Sequence, residues 1–226
     1  MQIEQHLLFL INREWTSPFM DRLMAILTNW SFWMPIVLGV ALLVGIFGNF
    51  HIRMALFCAI FSVGIVDGIV VDRMKHFFKR PRPYMVLQGV REVELARLKP
   101  RLLALTKPLE IEYSHPSFER PVNGPSFPSA HAANNFAVAT VFLLFFRRWG
   151  WLLFISATLV SYSRIYVGSH WPLDVFAASL IGISAALFLT TCVEVAWKRW
   201  GPRLFPRLST AYPSLLTPSP RISNIP

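Results

Sequence analysis

The chain has 226 residues, 54% of them hydrophobic and 15% charged, with a formal net charge of +10 and a mean hydropathy of +0.46. Soluble domains carry about 25% charged residues, so this composition excludes an ordinary soluble fold. A nucleic-acid binder is excluded as well, because it would not place its basic residues between long apolar runs.

In chain order, residues 1–30 are mixed. Leu7–Ile11 is apolar and is interrupted by Asn12, Arg13 and Glu14; Pro18–Trp30 is apolar with Asp21 and Arg22. This stretch reads either as an interfacial helix with a short span or as one helix packed in a bundle. No cationic start with an apolar core and a small-residue cleavage site occurs there, so no cleavable signal peptide is expected. Clearer spans follow at Phe32–Phe47, Met54–Val71 (broken by Asp67), Ala132–Phe146, Trp149–Tyr162 and Val175–Val193. A crossing helix needs about 20 residues, so the ends extend a little beyond these limits. The expected fold is all-α: a polytopic membrane helical bundle of about six transmembrane helices. A long loop, 76–128, joins the third and fourth spans, and Val93–Leu105 within it suits a short surface helix. One membrane domain is expected over 1–200, with a Pro- and Ser-rich disordered tail over 201–226. Cys58 and Cys192 lie in apolar runs without ligand spacing, so neither a disulfide framework nor a zinc site is expected.

Three basic-and-histidine clusters sit at the ends of the apolar runs. They are Lys75 to Arg82-Pro83, Pro128-Ser129-Ala130-His131, and Ser163-Arg164 through His170 to Asp174. Counting spans brings all three to one membrane face. Arg53, Arg147, Arg148 and the basic C-terminal segment fall on the other, which the positive-inside rule makes cytoplasmic. The active face is then extracytoplasmic.

Each cluster has its own chemistry. Pro81 and Pro83 hold Arg82 on a stiff, extended segment suited to a forked contact with phosphate oxygens; taken alone, the basic residues serve equally as interface anchors. Ser129 reads as an N-cap, with Ala130 and His131 in the first helical turn. A helix N-terminus with free N–H groups suits a phosphate, although a simple cap with an interfacial histidine has the same pattern. Pro172 suits the first position of the next helix, which places Asp174 in its first turn, four residues after His170. That spacing lets the carboxylate hydrogen-bond one ring nitrogen and leaves the other nucleophilic. The bland alternative is that Asp174 only complements the helix dipole.

Lys75-x6-Arg82-Pro83, Pro128-Ser129-x-His131 and Ser163-Arg164-x5-His170-x3-Asp174 resemble, in order and spacing, the three signature motifs of the type-2 phosphatidic acid phosphatase superfamily. That superfamily also includes the vanadium haloperoxidases. The resemblance is strongest over 54–195. It implies a membrane lipid phosphate phosphatase in which His170 attacks phosphorus, Asp174 orients His170, and His131 protonates the leaving oxygen. Lys75, Arg82, Ser129, Ala130 and Arg164 would bind the phosphate. It implies no cofactor and no metal, a lipid phosphate and the membrane as partners, no nucleic acid, and a bacterial inner-membrane location. Undecaprenyl diphosphate is the favoured substrate, followed by phosphatidate and phosphatidylglycerol phosphate. The alternatives are a lipid phosphotransferase using the same phosphohistidine, a vanadate-dependent haloperoxidase, and a non-catalytic lipid-binding protein. One departure stands out: the family's second motif usually has glycine where this chain has Ala130.

Overall fold

A computed structural model describes residues 2–96, 101–116 and 124–217. The chain is mostly helical. Its elements are α1 (Gln2–Phe9), α2 (Pro18–Thr28), α3 (Trp30–Phe47), α4 (Phe50–Ile65), α5 (Asp72–Phe78), α6 (Pro83–Val86), β1 (Arg91–Glu94), β2 (Glu110–Tyr113), α7 (Ala130–Phe145), α8 (Leu152–Tyr166), α9 (Pro172–Leu204) and α10 (Pro206–Ala211). Wider π turns follow α1 at Leu10–Glu14 and join α4 to α5 at Val66–Val71. Trp30–Phe47, Phe50–Val86 and Pro172–Leu204 are long and apolar enough to cross a membrane; Ala130–Phe145 and Leu152–Tyr166 are apolar but shorter.

Local sequence explains where the helices start. The side chains of Ser17, Asn29, Asn49 and Ser129 each accept a backbone N–H three residues on, which satisfies part of the open first turn. Pro18 and Pro172 occupy first-turn positions, where a missing N–H costs nothing. α3 carries no charge and buries no residue fully, so most of its apolar surface faces outward.

The core forms around α7, which packs against α4, α8 and α9. Ala132, Ala133, Ala137 and Ala139 are completely buried, and their small side chains let neighbouring backbones approach closely. The tightest approach is at Gly182 of α9, where a β-carbon would lie 2.1 Å from the Ala133 carbonyl oxygen. Gly182→Ala is therefore expected to force α7 and α9 apart. It should cost about 1–3 kcal/mol, seen as a lower unfolding temperature in detergent.

The two ends of the bundle are closed differently. At one end, His51 Nε2 lies 3.1 Å from the Phe145 carbonyl, joining the start of α4 to the end of α7. The chain also folds back there after α9. Glu194 accepts from the Leu215 N–H (2.8 Å), and Trp197 Nε1 donates to the Tyr212 carbonyl (2.8 Å). Residues 201–217 thus have defined structure, where disorder was expected from 201 onward; Pro206 opens α10 rather than ending order, and Leu215 is buried. Residues 218–226 lie outside the described set.

At the other end, the polar segment between α6 and α7 forms a ribbon. β1 and β2 are antiparallel, with Arg91 opposite Tyr113 and Glu94 opposite Glu110. The surface helix expected over Val93–Leu105 is therefore corrected: Val93 and Glu94 belong to β1, and a 3-10 turn covers Arg101–Thr106. Val93 and Leu95 are buried while Glu94 is exposed, and this alternation of one residue in and one out is a strand's period, not a helix's.

The N-terminal helices belong to this same end. Asn12 donates to the carbonyls of Tyr166 (2.6 Å) and Arg91 (2.9 Å) and accepts from the Arg91 N–H (2.8 Å). Asp21 receives the Arg91 guanidinium (2.8 Å) and the Tyr166 hydroxyl (2.7 Å). Arg22 donates to the carbonyls of Leu105 (2.6 Å) and Lys107 (3.0 Å). These bonds tie the π turn after α1, and α2 itself, to the ribbon segment and to the C-terminal end of α8.

Candidate active site

All three sequence clusters lie at the end of the bundle that holds the ribbon. α5 ends at Phe78, and Lys79 closes it in the left-handed region at φ 45°, which turns the chain into the extended segment 80–82. α8 ends just beyond Arg164. Gly168, at φ +73°, then makes the turn to His170; a β-carbon there would lie 2.7 Å from the Arg91 carbonyl, so glycine is required on two counts. α9 begins immediately afterwards at Pro172.

His170 is 2% exposed, and its backbone N–H donates to the Arg164 carbonyl (3.1 Å). Burial pushes its imidazole down to about 4; the Asp174 carboxylate opposes that shift, and the Arg164 and Arg82 charges reinforce it. The ring is therefore neutral across the physiological range, the form a nucleophile needs. Its Nδ1 lies 3.7 Å from Asp174 Oδ2, an ion-pair distance longer than a hydrogen bond. That nitrogen is buried without a hydrogen-bond partner among the described residues.

Asp174 is fully buried. Its Oδ2 accepts from the Trp171 N–H (3.0 Å) as half of a capping box, and its Oδ1 takes Arg80 Nη1 at 2.6 Å. Its backbone carbonyl accepts from the Ser129 N–H (3.3 Å), which links the second cluster directly to the third.

The predicted phosphate-binding cations converge. The charges of Arg164, Lys75 and Arg82 all act on His131 at the head of α7, and those of Arg82 and Arg164 act on Lys75. Arg82 Nε donates to the Gly124 carbonyl (3.2 Å), and Arg164 Nη1 donates to the Thr28 hydroxyl. Arg164 Nε is buried without a hydrogen-bond partner among the described residues. A cavity of about 280 Å³ opens against Arg82, Arg164 and Ser169, with Thr28 and Asn29 on a second side and Tyr84, Glu92 and Glu94 on a third. Of the predicted phosphate-binding residues, Arg82 and Arg164 form its wall. Arg82 and Arg164 repel one another, Glu94 offsets part of that repulsion, and an anion in the cavity would offset more.

Ser129 is fully buried as the N-cap of α7, its hydroxyl 3.5 Å from the Ala132 N–H. Ala130 is the first helical residue, and its methyl group packs against the apolar core. No left-handed backbone occurs there, so the usual glycine is not required at this position.

Sequence reasoning gave Arg80, which lies within the first cluster, no role of its own, and the structure turns it to the carboxylates of Asp174 and Glu4. It missed Glu4, Thr28 and Tyr84 altogether. None of these lies in a recognisable motif, and each reaches the site only through tertiary packing.

The sequence and the fold resemble those of known proteins. The sequence model described as the PAP2 superfamily matches residues 53–198. An undecaprenyl-diphosphatase of Sulfolobus acidocaldarius is 36% identical over 130 residues, covering 56% of this chain and 63% of that protein. A lipid A 4'-phosphatase of Bacteroides thetaiotaomicron is 29% identical over 173 residues, covering 74% of this chain and 66% of that protein. The chain thus spans less than two thirds of either relative. The crystal structure of Aquifex aeolicus LpxE superimposes with a TM-score of 0.61 at 26% identity, covering 84% of this chain and 95% of that one. With the superfamily match spanning all three clusters, this chain belongs to the PAP2 superfamily.

Proposed function

We propose that the protein is an integral-membrane lipid phosphate phosphatase that works through a phosphohistidine. The observation that carries the reading is a buried His170, held neutral, whose neighbouring cations Arg82 and Arg164 line a cavity that also reaches Ser169. His170 Nε2 is the nitrogen left to attack, since Nδ1 faces Asp174. It forms a bond to phosphorus as the bond to the lipid oxygen breaks, and His131 gives that oxygen its proton. Water then loses a proton to His131 and attacks phosphorus, releasing inorganic phosphate and restoring His170. Arg82, Arg164, Lys75 and the head of α7 at Ser129 and Ala130 hold the non-bridging oxygens, and such preorganised charge is usually the largest catalytic contribution.

We place the site at the extracytoplasmic face of a bacterial inner membrane, with one membrane domain over 1–200. In this reading α3, the α4–α5 run, α7, α8 and α9 cross the bilayer. The bonds of α1 and α2 to the ribbon keep the N-terminal pair at the catalytic face, which gives five crossings rather than six. Arg53, Arg147, Arg148 and Lys198 then lie at the cytoplasmic side, as the positive-inside rule requires. A site at the interface lets the phosphate remain in the headgroup layer while the lipid tail stays in hydrocarbon. The relatives' names favour undecaprenyl diphosphate, with a phosphorylated glycolipid next.

The test is phosphate release by purified protein from undecaprenyl diphosphate, phosphatidate, phosphatidylglycerol phosphate and a lipid A phosphate, each with EDTA present. Release that persists in EDTA and is inhibited by vanadate is expected. A strict requirement for a divalent metal, or no release from any of the four, overturns the proposal. Transfer of the phosphoryl group to an added acceptor lipid, without free phosphate, would identify a phosphotransferase.

A further inference from the structure

Asp174 is the carboxylate expected to serve His170, yet its shortest side-chain contact is with Arg80. Arg80 Nη1 lies 2.6 Å from Asp174 Oδ1, and Arg80 Nη2 lies 2.6 Å from Glu4 Oε2. The guanidinium also sits over the Trp171 ring, 5.0 Å from its centroid, and Trp171 Nε1 donates to the Pro81 carbonyl (2.9 Å). Glu4 has a second anchor: its Oε1 accepts from the Leu173 N–H (3.2 Å) in the first turn of α9. Glu4 is 9% exposed and Asp174 is fully buried, so water does little to screen this cluster.

We infer that Arg80 and Glu4 form a positioning clamp that fixes Asp174 for His170, which makes the N-terminal helix α1 part of the catalytic apparatus. The inference rests on the phosphatase reading above.

Geometry supplies the first argument. With Oδ1 held by Arg80 and Oδ2 held by the Trp171 N–H, the carboxylate cannot rotate. Oδ2 therefore stays turned toward His170 Nδ1. A planar guanidinium can reach two carboxylates at once with defined directions, which a lysine ammonium does not reproduce. Charge supplies the second argument. Attack on phosphorus leaves His170 positive, so the carboxylate side of the site must present negative charge. Arg80 and Asp174 alone would cancel. With Glu4 bound to Arg80, the three-residue cluster keeps one net negative charge, and Asp174 is its member beside the ring that becomes cationic. The other charged or titratable groups acting on His170 and the neighbouring His131 are Arg164 of α8, Arg82 of the extended segment and Lys75 of α5. None of them is negative, so Asp174 is the carboxylate that meets the ring, and Glu4 acts through Arg80, whose charge it offsets.

The test compares wild type, Glu4→Gln, Arg80→Lys and Arg80→Gln. Glu4→Gln keeps the shape and removes the charge; kcat should fall about tenfold with KM within about threefold. Arg80→Gln should lower kcat about a hundredfold, and Arg80→Lys should recover only part of that loss. The two charge changes also act oppositely on His170. Glu4→Gln removes negative charge, so the imidazole protonates at lower pH. Arg80→Gln removes positive charge, so it protonates at higher pH. NMR of histidine-labelled protein follows that midpoint without any substrate. Opposite displacements support the clamp, and a midpoint unmoved in Glu4→Gln and Arg80→Lys, with wild-type kcat in both, overturns it. Should Arg80→Gln fail to fold, the isosteric Glu4→Gln still decides. Absence of phosphate release from the wild type overturns the phosphatase reading alone, since the midpoints are read independently.

Discussion

His170→Ala is expected to abolish phosphate release, with kcat lower by on the order of 10⁴-fold or more. No neighbouring side chain can replace it. The other imidazole at the site, His131, heads α7 and is assigned to the leaving oxygen, and Asp174 is occupied by Arg80 and the Trp171 N–H. The loss should fall on kcat, because the cations that hold the phosphate are untouched. Trapping experiments with labelled substrate should show a phosphorylated wild type and an unlabelled variant. Full activity in His170→Ala would sink the mechanism.

The same residue predicts an unusual pH dependence. With its imidazole held down to about 4, His170 is neutral and reactive above that value and becomes protonated and inert below it. The acid limb of kcat/KM, which reports the free enzyme, should therefore lie well below the ordinary imidazole range. Bound phosphate screens Arg82 and Arg164 and adds negative charge. The acid limb of kcat, which reports the complex, should accordingly sit at higher pH than that of kcat/KM. Coincident limbs near the ordinary imidazole value would mean that neither burial nor the cation field holds His170 down.

Arg164→Met should lower kcat/KM by about 10²–10³-fold, with vanadate inhibition weakened in parallel. Its guanidinium lines the cavity, and its Nε is buried without a hydrogen-bond partner among the described residues. Arg82 opposes its charge, and both act on Lys75. Methionine keeps much of the side-chain volume and removes one of these repelling charges. Thermal stability in detergent should therefore hold or rise while activity collapses. Opposite movements of activity and stability mark a group held for its ligand rather than for the fold. A variant that loses stability but binds vanadate normally would show that Arg164 is structural.

Much of this was legible in the residues themselves. Lys75, Arg82, His131, Arg164, His170 and Asp174 stand at helix ends that the Ser129 cap and Pro172 mark locally, and an apolar run ending at such a signal can be read without knowing its neighbours. The ribbon was not legible, because Val93–Leu105 mixes charges in a way that suits either a helix or a strand until a partner strand is known. The order over 201–217 was hidden for a similar reason. Its prolines and serines suggest disorder, and only burial of Leu215 and the bond from its N–H to Glu194 hold it in place.

The sequence by itself determined the membrane class, the apolar runs and the residue types of the three clusters, because hydropathy, capping and motif spacing are local properties. The tertiary structure alone decided how those residues are coupled. It joined Arg80 to Asp174, brought Glu4 from α1 onto the same guanidinium, and set Thr28 beside Arg164. Those pairings join residues 76, 94 and 136 positions apart. They depend on where α1, α2, α8 and α9 meet, and no local pattern along the chain encodes that meeting.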